Sequence, residues 1–234
     1  PSALRDVLLE QLRDAGRYRS LRLRAGRVIA ERVADAESVA GEIARHFDAG
    51  GDPRSAYRWF MAHGEAREKR QALTSAREAY EAASRLSERE LGDEIEDALA
   101  WTSLIRVNLA LNDYDTTEEL LDYLDQRSLR PSDYAASRLL RGTLAFRQGN
   151  TRLARTTLEE SLAAYETLGD DDGCAAARFG LAKLEIRDGN AREGEALLRA
   201  CRDTYAALGN VDGEASVLWW LGRAALDTGL LEEA

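Results

Sequence analysis

Apolar and small residues recur every three or four positions along most of this chain, and short segments that contain glycine interrupt them. From Ala135 the pattern continues to Gly149-Asn150 and then resumes; from Ala175 it continues to Gly189-Asn190 and resumes again. Such spacing is typical of amphipathic helices, and glycine followed by a polar residue is typical of the turn that ends one. Ala, Leu, Glu and Arg, which favour helix, are abundant. The pattern predicts an all-α protein built from antiparallel helix hairpins.

The hairpin pattern repeats with an offset of 40 residues. Residues 165–190 align with residues 205–230 over their whole length. The aligned pairs include Tyr165 with Tyr205, Asp172-Gly173 with Asp212-Gly213, and Gly189 with Gly229. A period of this length, with two helices in each unit, is typical of a helical-hairpin array. Five to six hairpins are predicted, and the last begins at Ala215 and is truncated at Ala234.

The unit that begins at Ala135 has Gly142 at its position 8, Ala154 at position 20 and Leu158 at position 24. In these positions it resembles the tetratricopeptide repeat, in which small residues let the two helices of a hairpin approach closely. The resemblance implies a right-handed α-solenoid, a superhelix of antiparallel helix hairpins, over residues 36–234. Residues 1–35 are predicted to form an N-terminal helical segment that links this array to an upstream domain.

A narrower resemblance covers residues 18–66. The segment IARHFDAGGD, residues 43–52, is similar to the helix that precedes the tetratricopeptide array in large bacterial transcriptional regulators of the signal-transduction ATPase (STAND) class. Arg22 stands where these regulators usually have histidine. The resemblance implies that the chain is the sensor or interaction array of a larger regulatory protein. The ATPase would lie outside these residues, because they contain no GxxxxGK[ST] phosphate-binding loop.

The charge of the chain narrows the classes of partner. Its 42 acidic and 32 basic residues give a net charge of −10, which disfavours direct nucleic-acid binding, because such binding needs cations that displace counterions from phosphates. The sequence has no run of 18 apolar residues, so no membrane contact is expected. Its first residues have neither an initiator Met nor the order of a signal peptide, which favours a cytoplasmic piece of a longer protein.

Residues that could carry catalysis or hold a metal ion are few and poorly spaced. His46 and His63 are the only histidines, and Cys174 and Cys201 lack the CxxC spacing of redox or zinc sites. The acidic stretch LGDDDG, residues 168–173, lacks the alternating ligands of a calcium loop and is predicted to cap the next helix. We therefore expect no enzyme activity, cofactor or metal site, and we expect both thiols to be buried and reduced.

Candidate binding residues come from the helix face that lines the concave groove of tetratricopeptide superhelices. That family places positions 5, 9, 12 and 13 of each first helix in the groove. In this chain those positions combine an apolar, increasingly aromatic floor with a row of basic residues. The candidate partner-binding residues are Arg106, Phe146, Arg147, Phe179, Lys183, Arg187, Trp219 and Arg223. Basic and aromatic residues inside an acidic array favour a protein or peptide segment, or a small anionic effector, as the partner.

Alternatives stay open for these residues and for the chain. The apolar groove positions could pack on the neighbouring hairpin, and the basic ones could pair with Glu185 or Glu159. The predicted function is a non-catalytic binding module; the alternative is a structural scaffold that forms homo-oligomers through an exposed hairpin end. That end would present leucines of the last unit: Leu218, Leu221, Leu226, Leu230 and Leu231.

Overall fold

The computed structural model describes residues 17–33, 38–91 and 98–227, and each regular element within these ranges is a helix. The prediction of an all-α protein is therefore confirmed for the described residues. None of the helices in these ranges is long and apolar enough to cross a membrane. The chain divides after Asp113 into two compact units.

The first unit is a succession of helices that pack on their neighbours in sequence. The helices are α1 (Tyr18–Arg32), α2 (Ala40–Gly50), α3 (Pro53–Lys69), α4 (Leu73–Leu86) and α5 (Leu99–Ala110). Helix α1 packs on α2, α2 on α3, α3 on α4 and α4 on α5. A π-helical turn, Ser87–Leu91, extends α4. Of the predicted linker segment 1–35, residues 17–33 are described and the others lie outside the described residues.

The second unit contains the two clearest repeats and the first helix of a third. Its helices are α6 (Tyr114–Asp125), α7 (Pro131–Arg147), α8 (Thr151–Leu168), α9 (Asp171–Arg187), α10 (Ala191–Leu208) and α11 (Val211–Asp227). Each helix packs on the next, and the first helices of the repeats also contact one another, α7 with α9 and α9 with α11. Leu230 and Leu231 of the predicted hairpin end lie outside the described residues.

The turns inside the hairpins lie at the glycines that the sequence pattern indicates. Gly149 and Gly189 follow α7 and α9 with φ angles of 81° and 91°, a conformation that glycine adopts without steric cost. Asn150 then accepts a hydrogen bond from Leu153 N at 3.1 Å, which satisfies a free backbone donor at the start of α8. The predicted turns at these two positions are confirmed.

The acidic stretch 168–173 provides a helix cap, as predicted. Asp170 Oδ1 accepts a hydrogen bond from Gly173 N at 2.9 Å at the start of α9. Asn210 Oδ1 accepts one from Gly213 N, also at 2.9 Å, at the start of α11. The two caps are 40 residues apart, so the repeat in sequence is also a repeat in backbone geometry.

Small residues let the two helices of a hairpin pack closely. A Cβ atom on Gly142 would lie 2.6 Å from Leu158 Cγ, and one on Gly64 would lie 2.4 Å from the Tyr80 ring. A larger residue at either position would therefore force the facing side chain to move. The largest fully buried side chains include Tyr80, Ile43, Ile105, Leu121, Leu124, Leu158, Leu184 and Leu198.

In the two repeats that begin at Ala135 and Ala175, a side chain of the second helix also hydrogen-bonds the backbone of the first helix. Ser161 Oγ on α8 donates to Ala135 O at 2.9 Å, and Cys201 Sγ on α10 donates to Ala175 O at 3.4 Å. Both cysteines of the chain are free and buried, as expected. Burial raises the pKa of Cys201 to about 11, so its thiol stays protonated at neutral pH and keeps this bond.

Candidate binding site in the second unit

The first helices of the three repeats bring aromatic and basic side chains together. Phe146 lies in the last turn of α7, whereas Phe179, Lys183 and Arg187 follow one another at intervals of four residues on α9. Residues four apart share one face of a helix, so the spacing in α9 aligns these three side chains. Trp220 comes from α11 and meets Phe146 edge-on, with ring centroids 6.3 Å apart at 70°. We call these five residues the aromatic–cation cluster.

Two cations lie over the rings of this cluster. Lys183 Nζ is 4.7 Å from the centroid of Phe179 and 5.2 Å from that of Phe146. The Arg187 guanidinium carbon is 4.2 Å from the centroid of Phe146. Both cations are within the distance at which the negative face of an aromatic ring attracts a positive charge. The Phe146 ring is thus shared between two cations of α9.

Lys183 carries a charge that the protein only partly compensates. Within the described ranges, its Nζ makes no ion pair and no hydrogen bond; its contacts are the two rings. Burial, and to a smaller extent the positive charge of Arg147, lowers the pKa of Lys183 to about 8. Aromatic rings replace only part of the hydration that an ammonium group loses on burial. An anion bound at Nζ would compensate the remainder of this positive charge.

Arg187 has a structural function besides its contact with the ring. Its guanidinium donates hydrogen bonds to Phe146 O at 2.7 Å and to Thr151 Oγ1 at 3.2 Å. The carbonyls in the last turn of a helix have no partner within that helix, so Arg187 caps α7 from α9. Its orientation over the Phe146 ring is fixed by these bonds.

Glu185, which could pair with the basic groove residues according to the sequence, is paired with other side chains. Glu185 Oε1 accepts from Arg155 at 2.6 Å, and Glu185 Oε2 accepts from Asn190 at 2.7 Å. The hydrogen bonds from Asn190 and Arg155 hold the pKa of Glu185 below its ordinary value. In the part of the chain that the structure describes, Glu185 therefore does not neutralise Lys183 or Arg187, which leaves the positive charge of the cluster in place.

Three other candidates lie at the edge of the cluster or beside it. Arg147 is exposed at the end of α7, and Arg223 is exposed on α11. Trp219, the aromatic residue that the groove positions indicate, is 60% exposed and touches Trp220, with ring centroids 5.4 Å apart. Trp220, which the groove positions omit, is the tryptophan that reaches Phe146. The sequence shows two adjacent tryptophans. Which of them reaches Phe146 depends on the rotation of α11 about its own axis, which the sequence pattern does not fix.

Arg106 belongs to the first unit, where its guanidinium takes part in a local ion pair. Its Nε and Nη2 donate to the two carboxylate oxygens of Glu68 on α3, each at 2.9 Å, and the Tyr80 hydroxyl donates to the same carboxylate at 3.0 Å. Burial favours the neutral acid, but the hydrogen bonds from Arg106 and Tyr80 outweigh it, so the pKa of Glu68 lies below its ordinary value. Arg106 thus holds α5 to α3, which is a role in the fold of that unit.

The two histidines also serve packing in the first unit. A Cβ atom on Gly41 would lie 2.9 Å from His63 Nε2, so the imidazole of α3 packs directly on the backbone of α2. His46 Nδ1 lies 3.4 Å from Arg22 Nη1 of α1. Burial lowers the pKa of both histidines, and neighbouring arginines lower it further. Both rings are therefore neutral at pH 7.

Comparisons with known proteins add no assignment for this cluster. No protein-family model matches the chain, and no curated protein is significantly similar to it. Among the described residues, no group of three or more His, Cys, Asp or Glu side chains is arranged to hold a metal ion. Any function of the aromatic–cation cluster must therefore follow from its own geometry and charge.

Proposed function

We propose that the chain is a non-catalytic binding module, and that its aromatic–cation cluster recognises an anionic group carried next to an apolar one. The partner is a protein or peptide segment, or a small anionic effector. The proposal includes a right-handed tetratricopeptide-type superhelix with the cluster in its groove, and a place for this array in a larger bacterial regulatory protein. The resemblance of residues 18–66 and of the repeats supports this last part.

The observation that carries the proposal is the partly buried ammonium of Lys183. Among the described residues it meets rings and another cation, but no acid. A carboxylate or phosphate within hydrogen-bond distance of Nζ would gain a charge-assisted bond in a site with reduced screening. Since the bound anion stabilises the protonated lysine, binding should raise the pKa of Lys183 and should weaken as the pH rises above about 8.

The rings around Lys183 define the second requirement on the ligand. Phe179 and Trp220 are partly exposed and present apolar surface beside the charge. Rigid aromatic side chains anchor a ligand at small entropic cost, so an acidic group flanked by an apolar group fits this surface better than an acid alone. Arg147, at the exposed end of α7, adds positive charge on the approach to the site.

The test compares Lys183→Met with Lys69→Met. These are the only two lysines of the chain, and Lys69 is exposed in the first unit, so the second variant is a matched control for loss of one ammonium. Methionine keeps an unbranched side chain between the rings and removes the charge. The chain and both variants are screened against peptide arrays of acidic residues flanked by apolar ones, and against carboxylated and phosphorylated metabolites.

Binding by the unmodified chain and by Lys69→Met, with at least a tenfold loss in Lys183→Met, would support the proposal. The array and the metabolite panel distinguish a protein segment from a small effector. Selective ¹³C labelling of lysine gives two side-chain signals, and the ligand should shift that of Lys183 and raise its pKa. Equal binding by all three proteins would contradict the proposal, since Lys183 would then contribute only to packing.

A further inference from the structure

A cleft lies in the second unit between the end of α6 and the start of α7. Its volume is about 560 Å³, which is within the range of pockets that hold small molecules. It is separate from the aromatic–cation cluster, because Arg138, the last of its lining residues along α7, precedes Phe146 by eight residues, or about two helical turns. The apolar part of its lining consists of Leu124, Leu129, Pro131 and Tyr134.

The charged part of the lining consists of Asp125, Arg127 and Arg138. The Arg138 side chain is only 14% exposed. A guanidinium has five N–H donors, yet among the described residues that of Arg138 donates a single hydrogen bond, to Asp125 Oδ1. Its Nη1 lies 3.9 Å from Glu160 Oε2, beyond hydrogen-bond distance, and its Nε is buried without a partner. Arg138 is therefore a mostly buried cation with unused donors, whereas buried polar groups in proteins are usually hydrogen-bonded.

The carboxylate that pairs with Arg138 is shared with a second guanidinium. Asp125 Oδ2 accepts a hydrogen bond from Arg141 Nη2 at 2.8 Å, so one carboxylate lies between two arginines. Arg141 also donates to Asp122 at 2.8 Å, but that side chain is 61% exposed, and solvent screens its charge. Arg127 adds a third guanidinium to the cleft. The acids around the cleft therefore compensate its positive charge only in part.

The apolar part of the lining sets a second requirement on a ligand. The Tyr134 side chain is 41% exposed, and the guanidinium carbon of Arg138 lies 5.4 Å from its ring centroid. Leu129 is partly buried and Pro131 is exposed, so both also present apolar surface to the cleft. A flat aromatic group can stack on the Tyr134 ring. Because the cation lies beside this ring, the ligand must carry its anionic group next to its own ring.

We propose that this cleft between α6 and α7 binds a small aromatic acid. The ring of the ligand packs on Tyr134 and Leu129, and its carboxylate or phosphate accepts hydrogen bonds from Arg138. A guanidinium can donate two parallel bonds to such an oxyanion, which suits the unused donors of Arg138. Arg127 stabilises the bound anion through its positive charge, whereas Asp125 orients Arg138 from the side of α6. The inference goes beyond the proposed function, because it concerns a separate site and does not need Lys183.

The probes are 2-naphthoate and 2-naphthyl phosphate, which carry the two kinds of acid on one ring system, and 2-naphthylmethanol is the neutral control. Their binding to the whole 234-residue chain is measured by titration calorimetry and by the methyl signals of ¹³C-labelled leucine. Arg138→Lys keeps the charge that faces Asp125 and loses the paired donors. Tyr134→Ala and Arg127→Ala alter exposed residues of the cleft, and Arg192→Ala, which removes an exposed arginine of α10, is the matched control.

We expect saturable binding of at least one of the two acids, with shifts in the methyl signals of Leu124 and Leu129. Binding should be at least tenfold weaker for the alcohol, and for the acid with Arg138→Lys or Tyr134→Ala; Arg127→Ala should weaken the acid alone. Arg192→Ala and Lys183→Met should bind like the unmodified chain, so failure of this proposal and failure of the proposed function are distinguishable. The inference would be overturned if neither acid binds saturably, if the alcohol binds equally well, or if Lys183→Met abolishes binding while Tyr134→Ala does not.

Discussion

Replacing Lys183 with methionine tests the electrostatics of the cluster without any ligand. The substitution removes one charge and keeps an unbranched side chain between the Phe146 and Phe179 rings. Most substitutions in a packed region destabilise a protein, because contacts are lost. For Lys183→Met we expect a gain in stability instead, because the environment of Lys183 disfavours its positive charge.

The magnitude follows from the pKa of the lysine. A fall from 10.5 to about 8 corresponds to about 3.5 kcal/mol, since one pKa unit is about 1.4 kcal/mol. Lys183 is partly exposed, and its replacement also loses contacts with the rings that are worth about 0.5–2 kcal/mol. The net expectation is that Lys183→Met raises the free energy of unfolding by about 1 kcal/mol at pH 7.

The pH dependence separates this cause from a general improvement in packing. The folded chain releases the Lys183 proton near pH 8, whereas the unfolded chain keeps it to about pH 10.5. Between these values the unfolded state binds more protons, so the penalty from Lys183 is complete below pH 8 and is lost as the pH rises through this window. The advantage of Lys183→Met should therefore shrink between pH 7 and pH 10.

The assay is urea unfolding followed by far-ultraviolet circular dichroism at both pH values, with Lys69→Met as the control. Taking the difference between variant and parent at each pH cancels the titration of tyrosines and cysteines that all three proteins share. A loss of more than about 1 kcal/mol in Lys183→Met at pH 7 would refute the reasoning. So would an advantage that does not change with pH, because packing alone would then account for it.

Other predictions concern the helix contacts. A Cβ atom on Gly173 would lie 2.3 Å from the Tyr165 ring, so Gly173→Ala should lower the free energy of unfolding by about 1–3 kcal/mol, measured by urea unfolding. Gly222→Ala places the same methyl group where no described atom is near and should stabilise by up to about 1 kcal/mol through helix propensity; equal losses in both variants would contradict the packing described for Gly173. Glu68→Gln breaks the ion pair with Arg106 and should cost about 1–2 kcal/mol at pH 7. Because the pKa of Glu68 is lowered in the folded chain, the carboxylate contributes to stability above pH 4.5, and this contribution is lost as the pH falls below that value. The free energies of unfolding of parent and variant should therefore converge in acid. A constant difference between them from pH 7 to pH 3 would exclude a role for the carboxylate charge.

How far the sequence predicts this protein can be seen at single residues. Gly142 and Ala182 at the small position, Gly149-Asn150 in a turn and the acidic stretch 168–173 at a cap all occupy the places that the pattern indicates. The candidate site was predicted only as a set of helix positions. Of that set, Phe146, Phe179, Lys183 and Arg187 come together in space, whereas Trp219 is replaced by Trp220 at the Phe146 ring.

Arg187 and Arg106 show why the remainder could not be predicted. Both look like groove cations in the sequence, yet Arg187 caps α7 through Phe146 O, and Arg106 is paired with Glu68. These partners are 41 and 38 residues away along the chain. No local pattern encodes such a pairing, because it depends on the rotation of one helix against another and on which acceptor has no partner within its own helix.

The sequence by itself determined that the chain is helical, that turns lie at Gly149 and Gly189, that residues 168–173 cap a helix, and that the hairpin unit recurs after 40 residues. These features follow from interactions between residues three or four apart: backbone hydrogen bonds, caps and the conformational freedom of glycine. Only the tertiary structure decided that, among the described residues, Lys183 lies between two rings without an acid and Gly222 faces open space. Both depend on whether a neighbouring helix supplies a partner, and that is a property of packing between helices, which the local pattern along one helix does not contain.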